Sequence, residues 1–177
     1  MTKIIVIIGM PASGKDIARK YAEAEQYPYI STGDIVRAEV KKRRLTANAE
    51  NMATLSDELR GKDGLGVTKM ALAAALDKEA DLIFLEGMRS WPEIELIKNN
   101  TECFVVAIIA PRAIRLARVR ERGREDDSVE HFTKRDWREI NYGLATCIAL
   151  ADDYVLNIGT VEDTFSSIDI IIKKHIR

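Results

Sequence analysis

The N-terminal segment constrains the fold more than any other part of the chain. From Lys3 to Ile8 the sequence reads KIIVII, a β-branched run that would have to be buried on both faces of a strand. Such a strand is typical of a parallel sheet covered by helices on both sides. The run leads directly into a segment that fits the pattern G-x-x-x-x-G-K, and an amphipathic helical stretch follows. The residues of this segment are Gly9, Met10, Pro11, Ala12, Ser13, Gly14, Lys15 and Asp16.

This glycine-containing segment is suited to binding a polyphosphate. Its glycines let successive backbone N–H groups turn inward, and the N-terminus of the following helix adds the positive end of its dipole. Because Lys15 adds a cation there, the sequence predicts an ATP-phosphate site at the end of the first strand. Asp16 replaces the Ser or Thr whose hydroxyl usually ligates Mg²⁺. Its carboxylate is either a direct ligand, a ligand through water, or only an acidic residue favoured by the helix dipole.

Strand-like and helix-like patterns alternate along the rest of the chain. Strand patterns after the first lie at 27–30, 81–85, 103–109 and 154–158. Helical patterns occupy 15–25, 35–43, 47–60, 67–79, 91–99, 111–121, 129–151 and 161 to about 174. This alternation predicts an α/β fold of three layers with a five-stranded parallel sheet. The long connections after the second and fourth strands predict helical insertions over the sheet.

Length and composition exclude several classes of protein. A chain of 177 residues is the size of one domain, which we expect to span 1–177. Its 27 basic and 28 acidic residues give a net charge of −1, which argues against a dedicated nucleic-acid-binding protein. The two Cys and two His cannot assemble a zinc cluster. Without a signal peptide or a long apolar stretch, we expect a soluble, cytoplasmic protein that does not bind membranes.

Two downstream segments, taken with GMPASGK, resemble the adenylate kinase and nucleoside monophosphate kinase family. The first reads ISTGDIVRAE over 30–39, and the second reads LIFLEGMR over 82–89. The acceptor-binding residues that the resemblance implies are Thr32, Gly33, Arg37, Gly87 and Arg89. The metal-binding residues that it implies, mostly through water, are Asp16, Asp34 and Glu86. Glu86 stands where the family usually has an Asp, and is one methylene longer.

The arginine-rich segment PRAIRLARVRERGR over 111–124 extends the resemblance. Arg118 and Arg122 fall where the family places one arginine near adenine and one on the transferring phosphates, and at a spacing of four they share a helix face. Arg135 and Arg138 resemble arginines that close onto the phosphates. With Lys15, these four arginines form the implied catalytic set. The segment ADDYVLNIGT over 151–160 resembles dephospho-CoA kinases, and the whole order is most similar to the archaeal adenylate-kinase-related family.

The resemblance implies Mg²⁺-dependent transfer of the ATP γ-phosphoryl group to a nucleoside monophosphate, with AMP as the first acceptor expected. Phosphoryl transfer requires in-line positioning and cations around the transferred group. An acceptor phosphate is already ionised, so no catalytic base is needed. In this interpretation residues 35–80 form an acceptor-side helical lobe, and residues 121–136 form a short lid that excludes water.

Two other functions fit the same motifs. One is a kinase of dephospho-CoA or another small molecule, whose hydroxyl acceptor would need a base such as Asp34. The other is an ATP-dependent RNA- or protein-binding switch with weak ATPase activity, which would use the cationic cluster at 41–44. The switch remains an alternative because Asp16 stands where the usual metal-binding hydroxyl would be.

Residues around the motifs carry structural expectations as well. The arginines expected on a solvated helix face are Arg112, Arg115 and Arg120. Trp137 is expected to be half-buried in lid packing, with base stacking as the alternative. We expect His175 to lie in a frayed C-terminal tail, and Cys103 and Cys147 to be buried and reduced.

Overall fold

The computed structural model describes residues 2–123 and 127–176, apart from the side chain of Ala49. Within these residues the chain forms five strands and nine helices. The strands are β1 Lys3–Ile8, β2 Tyr29–Ser31, β3 Leu82–Glu86, β4 Glu102–Ile109 and β5 Asp153–Leu156. The helices are α1 Lys15–Ala24, α2 Thr32–Lys42, α3 Ala49–Arg60, α4 Gly66–Leu76, α5 Trp91–Lys98, α6 Arg112–Arg122, α7 Val129–Tyr142, α8 Leu144–Ala149 and α9 Val161–Ile176.

The strands form one parallel sheet in the order β2-β3-β1-β4-β5, which confirms the predicted five-stranded α/β architecture. β1 is the central strand, and Ile5 lies opposite Phe84 of β3 and Phe104 of β4. All strands run in the same direction, so their carboxyl ends meet at one edge of the sheet. In open parallel sheets that edge is where ligands bind, next to the strand where the connections change direction.

The alternation of side chains along β1 divides the core into two layers. Ile4 and Val6 face one way and pack with residues of α4, α5 and α8. Ile5 and Ile7 face the other way and pack with residues of α1 and α9. All four side chains are fully buried, which is why the strand is apolar on both faces.

Helices α2, α3 and α4 have a small core of their own. It contains Val36 and Val40 of α2, Leu55 of α3 and Val67 of α4. α4 also contributes Leu72 to the main core, so these three helices are joined to the sheet. Most of α2 and all of α3 and α4 lie within the segment 35–80, in which the sequence predicts a helical lobe.

The prediction of one long helix at 129–151 is wrong, because the chain forms two helices there. Gly143 has φ of 106° and separates α7 from α8. Glycine adopts this left-handed conformation without the penalty that a Cβ would impose, and such a residue commonly ends a helix. The break lets α8 place Leu144 and Cys147 in the core beside β1.

Several side chains also differ from their expected surroundings. Trp137 is 60% exposed, which is more than half-buried packing allows. His175 is held in place, because its Nε2 lies 2.6 Å from Asp153 Oδ2 and its ring packs on Phe104. Cys103 is only partly buried, whereas Cys147 is buried as expected, and both are free thiols. Among the described residues, no helix is long and apolar enough to span a bilayer.

Candidate functional site

The glycine-containing segment forms a loop between the end of β1 and the start of α1. Gly14 has φ of 100°, and a Cβ there would lie only 2.0 Å from Nδ2 of Asn157. Only glycine therefore fits at this point of the loop. The Ser13 hydroxyl is buried and has no hydrogen-bond partner in the part of the chain that the structure describes. A buried hydroxyl left in this way fits a loop that receives a polar ligand.

Asn157, just after β5, supports the loop from behind. Its Nδ2 donates to the carbonyl of Ser13 at 2.8 Å. Its side-chain oxygen accepts from Arg118 and from Thr164, each at 3.0 Å. Arg118 also donates to the backbone carbonyl of Asn157 at 3.0 Å. The segment 151–160 was noted only for its resemblance, and sequence reasoning missed that Asn157 links the loop to Arg118.

Arg115 is not on a solvated face, so this expectation is wrong. The residue is 5% exposed and donates to both carboxylate oxygens of Asp136, at 2.7 and 2.9 Å. It also donates to the carbonyl of Pro11 in the loop at 3.0 Å. Arg112 and Arg120 are exposed as expected. The same helix therefore carries both buried and exposed arginines, and the buried Arg115 is the one that donates two hydrogen bonds to Asp136 of α7.

A cavity of about 600 Å³ opens beside the loop. The predicted site residues that line it are Ala12, Gly14, Lys15, Asp16, Glu86, Arg118 and Arg122. The Lys15 ammonium donates to the carbonyls of Gly9 and Met10, at 2.8 and 3.5 Å. Burial lowers the pKa of Lys15, although the nearby carboxylates of Glu86 and Glu139 act in the opposite direction. We refer to this space as the donor cavity.

The predicted metal residues divide into two groups. Asp16 and Glu86 line the donor cavity, and oxygen atoms of carboxylates are the ligands that Mg²⁺ prefers. Asp34 instead accepts from Arg19 at 2.7 Å and from Arg37 at 2.5 Å. Burial alone would raise the pKa of Asp34, but these arginines and Ser31 hold it well below its usual range. Two guanidinium groups occupy the Asp34 carboxylate, so its surroundings do not fit a metal ion.

A second cavity of about 400 Å³ lies between α2, α3 and the segment after β3. We call it the acceptor cavity, and the predicted residues that line it are Thr32, Gly33, Gly87, Arg89 and Arg138. Gly87 has φ of 107°, and a Cβ there would lie 2.0 Å from Oγ1 of Thr32. The two segments that resemble nucleotide kinases therefore meet in direct contact. Arg37 lies against Gly33, with its guanidinium paired to Asp34.

Sequence reasoning missed Arg60, which also lines the acceptor cavity. Its guanidinium lies 4.7 Å from the ring centroid of Tyr142, and that of Arg89 lies 5.5 Å from the same ring. Arg60 ends α3, outside every segment that carries the resemblance, so no local signal distinguishes it from an ordinary C-terminal arginine.

A smaller cavity of about 200 Å³ lies between the two larger ones. Lys15 and Glu86 line both this cavity and the donor cavity. Gly87 and Arg89 line both this cavity and the acceptor cavity. The three spaces therefore form a continuous row along the carboxyl edge of the sheet, with a lysine at one end of the middle space and an arginine at the other.

The remaining predicted arginines are paired with carboxylates of the chain. Arg122 donates through Nε to Asp127 at 2.8 Å, and Arg135 donates to the same carboxylate at 3.0 Å. Arg138 lies 3.3 Å from Glu139. Residues 124–126 of the expected lid lie outside the described residues. On either side of that gap the segment 121–136 consists of the end of α6 and the beginning of α7.

Sequence comparison places this arrangement in a known family. The AAA_17 family model, described as an AAA domain, matches residues 8–133. A UPF0200 protein from Thermococcus gammatolerans is 34% identical over 182 residues, covering 98% of this chain and 96% of the relative. The chain belongs to the UPF0200 family. A UPF0200 protein from Methanococcus maripaludis strain C6 is 36% identical over 179 residues, covering 98% of each chain.

Solved structures confirm the fold of this UPF0200 chain. TT1252 from Thermus thermophilus superimposes with a TM-score of 0.70 at 17% identity, covering 98% of this chain and 97% of that one. Shikimate kinase from Acinetobacter baumannii, in complex with shikimate, gives a TM-score of 0.60 at 17% identity, covering 98% and 94% of the two chains. The chain therefore has the α/β fold of P-loop kinases, as predicted from the sequence.

Proposed function

We propose that this UPF0200 protein is an ATP-dependent phosphotransferase that acts on a nucleoside monophosphate, with AMP as the first acceptor to test. The observation that carries the proposal is the middle cavity, which both Lys15 and Arg89 line and which shares residues with each of the two larger cavities. A lysine beside the donor phosphates and an arginine beside the acceptor phosphate would hold the two reacting groups in line. Positioning and charge neutralisation are the main contributions a protein makes to this reaction.

The donor cavity supports binding of ATP. Backbone groups of residues 9–16, Lys15 and Arg118 would surround the phosphates, and Arg122 would act at the transferred group. Mg²⁺ carried with ATP would be held by Asp16 and Glu86, directly or through water, and would neutralise charge on the phosphate oxygens. Asp34 is left out of this metal set, since its carboxylate is paired with two arginines.

The acceptor cavity supports binding of a second phosphate-bearing ligand. Arg89 would hold its phosphate, with Thr32, Gly33 and Gly87 close to the ligand. Arg37 does not line the cavity, but it lies against Gly33 and would add a second cation by leaving Asp34. An acceptor phosphate oxygen then forms a bond to the γ-phosphorus while the bond from that phosphorus to the β–γ bridging oxygen breaks. The products are ADP and a nucleoside diphosphate, and no proton has to be removed first because the acceptor oxygen is ionised.

In this proposal the chain works as one domain over 1–177. The segment 35–80, which contains most of α2 and all of α3 and α4, serves as the acceptor lobe. The segment 121–136 serves as a lid that brings Arg122 and Arg135 toward the phosphates, with Arg138 just beyond it. Each of these arginines would exchange a carboxylate partner of the chain for a phosphate oxygen.

The environment of two residues disfavours the alternatives. A hydroxyl acceptor would need a base, and the low pKa of Asp34 makes that carboxylate a poor one. A switch that binds RNA through 41–44 would need free cations, but Arg43 pairs with both Glu39 and Glu58. The first observation favours an acceptor that is itself a phosphate, and the second reduces the charge that the 41–44 cluster offers to RNA.

The test is to incubate the pure protein with Mg²⁺-ATP and a panel of acceptors, and to measure ADP formation. The panel contains the four nucleoside monophosphates, their deoxy forms and dephospho-CoA. We expect turnover with a monophosphate, and a loss of about 10²- to 10³-fold in the Lys15→Ala variant, since that cation faces the developing charge. If ATP binds but no acceptor is phosphorylated, the proposal is wrong and the ATP-dependent switch is favoured.

Two further variants test the acceptor assignment. Arg89→Ala and Arg37→Ala remove the side chains assigned to the acceptor phosphate, so each should raise the KM for the acceptor by about ten-fold or more. The affinity for ATP should change little. Acceptor affinity that is unchanged in both variants would contradict the assignment.

A further inference from the structure

Helix α7 carries two carboxylates where a helix packed against a core usually carries apolar residues. Asp136 and Glu139 are three residues apart, so they share a face with the fully buried Phe132. Each carboxylate side chain is only 8% exposed. A buried carboxylate is costly unless cations and hydrogen bonds compensate for its lost hydration. The partners of these two residues therefore indicate what the face is for.

Asp136 is connected to the donor side. It accepts two hydrogen bonds from Arg115, whose guanidinium is buried as well. Arg115 uses the same terminal nitrogen, Nη1, to donate to the carbonyl of Pro11 in the phosphate-binding loop. The Pro11 carbonyl and the N–H of Ala12 belong to one planar peptide unit, so a hydrogen bond that holds the carbonyl also restrains the direction of that N–H in the loop. The pair thus acts on the loop from outside the donor cavity.

Glu139 is connected to the acceptor side. Its Oε2 lies 3.2 Å from Nε of Arg89. This pairing is through Nε, and within 2–123 and 127–176 no hydrogen bond from the terminal nitrogens of Arg89 is found, so both can form a bidentate contact with a phosphate. Glu139 also lines the middle cavity with Lys15 and Arg89. Glu139 therefore lies between the two reacting sites, and its contact with Arg89 does not occupy the nitrogens that would bind the acceptor phosphate.

We propose that α7 positions both substrates at once: Asp136 sets the phosphate-binding loop through Arg115, and Glu139 orients Arg89 for the acceptor phosphate. Both carboxylates are positioning residues, since each acts through an arginine. The Glu139 part rests on the proposed function, whereas the Asp136 part requires only that the protein binds ATP. The two residues lie on adjacent turns of one helix, but the proposal predicts opposite effects for them. Loss of the Asp136 charge should weaken binding of ATP, whereas loss of the Glu139 charge should weaken binding of the acceptor.

The Asp136 part is tested by the affinity for ATP, measured by titration calorimetry. Asp136→Asn should weaken ATP binding by about ten-fold, the effect of one charge-assisted hydrogen bond, and leave AMP binding within about two-fold. That variant leaves Arg115 buried without its anion and is at risk of unfolding. The double variant Arg115→Met with Asp136→Leu removes both charges and should keep the fold. It should bind ATP as weakly as Asp136→Asn, because the contact to Pro11 is lost in both.

The Glu139 part is tested by a split between the two substrates. Glu139→Gln keeps the shape of the side chain but removes its charge, so it should raise the KM for AMP by about five- to ten-fold with ATP affinity within about three-fold. Glu130→Gln is the matched control, since Glu130 pairs with Lys134 on the exposed face of the same helix. That control should leave both affinities unchanged.

Three outcomes would overturn the proposal. ATP affinity restored to the wild-type value in the double variant would show that Asp136 serves only the fold. Equal losses for both substrates in Glu139→Gln, with a lowered Tm, would show the same for Glu139. Effects of equal size in Glu130→Gln would remove the distinction between the two faces. If the wild-type protein phosphorylates none of the acceptors, the proposed function fails, while ATP affinity still decides the Asp136 part.

Discussion

The proposed donor and acceptor sites of this protein are built in different ways. The donor site is a loop of consecutive residues, 9–16, whose backbone is fixed by neighbours such as Asn157 and Arg115. The acceptor site is assembled from side chains of α2, α3, α7 and the segment after β3. Its cations are paired inside the chain, as in Arg37 with Asp34 and Arg89 with Glu139.

This difference predicts different sensitivities. A backbone cradle that is already formed binds phosphate without rearrangement, so it should fail abruptly when its geometry is disturbed. At the acceptor site several separate guanidinium groups would each contribute a contact, so the loss of a single one should cause a smaller, graded change. The following predictions test that contrast.

The largest effect should come from Gly14→Ala. A Cβ at this position would meet Asn157, which is held by three other groups, and the backbone would be strained at φ of 100°. ATP affinity, measured by calorimetry, should fall by about 100-fold, as expected when a binding group is displaced by about 1 Å. Gly64→Ala is the matched control, because Gly64 also has a positive φ of 74° but open space around its Cβ position. Equal ATP affinity in the two variants would refute this.

A smaller effect is expected from Gly87→Ala at the acceptor site. The new Cβ would meet the Thr32 hydroxyl and push apart the two segments that line the acceptor cavity. Affinity for AMP should fall by about ten-fold, and ATP affinity by less than about three-fold. Steady-state kinetics with each substrate varied in turn measures both. If ATP affinity suffers as much as AMP affinity, the two sites are not separate in the way described.

Arg60→Gln should give a graded change at the acceptor site. The Arg60 guanidinium rests on Tyr142 beside Arg89 and has no carboxylate partner among the described residues, so it is available to an acceptor anion. The KM for AMP should rise by about five-fold with kcat preserved, as expected for one partly buried cation. Lys62→Gln, an exposed residue two positions along, is the control and should change neither value. A fall in kcat without a change in KM would contradict the assignment.

The smallest effect concerns Asp34 and pH. Its pKa in the folded protein is held below the value of an unfolded chain, chiefly by Arg19 and Arg37 against the opposing effect of burial. Its stabilising contribution is therefore fully present above the unfolded carboxyl pKa and is lost as the pH falls toward the folded value. The difference in unfolding free energy between wild type and Asp34→Asn should shrink below about pH 4. Denaturant titrations at several pH values measure it, and a difference constant down to pH 3 would exclude this role.

Much of the donor site was predictable because its parts are adjacent in sequence. A strand buried on both faces, the glycine pattern and Lys15 all lie within 3–16, so local conformation determines their arrangement. The five-strand parallel sheet was predictable for a similar reason, since the alternation of strand and helix patterns leaves few other folds. The break at Gly143 was not predicted, because the apolar pattern continues across it. It is seen in the structure, where Gly143 has a positive φ.

The fold class could be predicted from the sequence, and the loop at 9–16 and the segments at 30–39 and 82–89 could be proposed as binding segments. Which charged side chains pair could be seen only in the folded molecule. Arg112 and Arg115 lie on the same helix and both pair with Asp136 of α7, yet Arg112 is exposed whereas Arg115 is buried and also reaches the Pro11 carbonyl. Asn157 contributes to the donor side and Arg60 to the acceptor side, each from a distant part of the chain. The reason is physical: backbone geometry follows from neighbouring residues, whereas the energy of a charge depends on its surroundings in space.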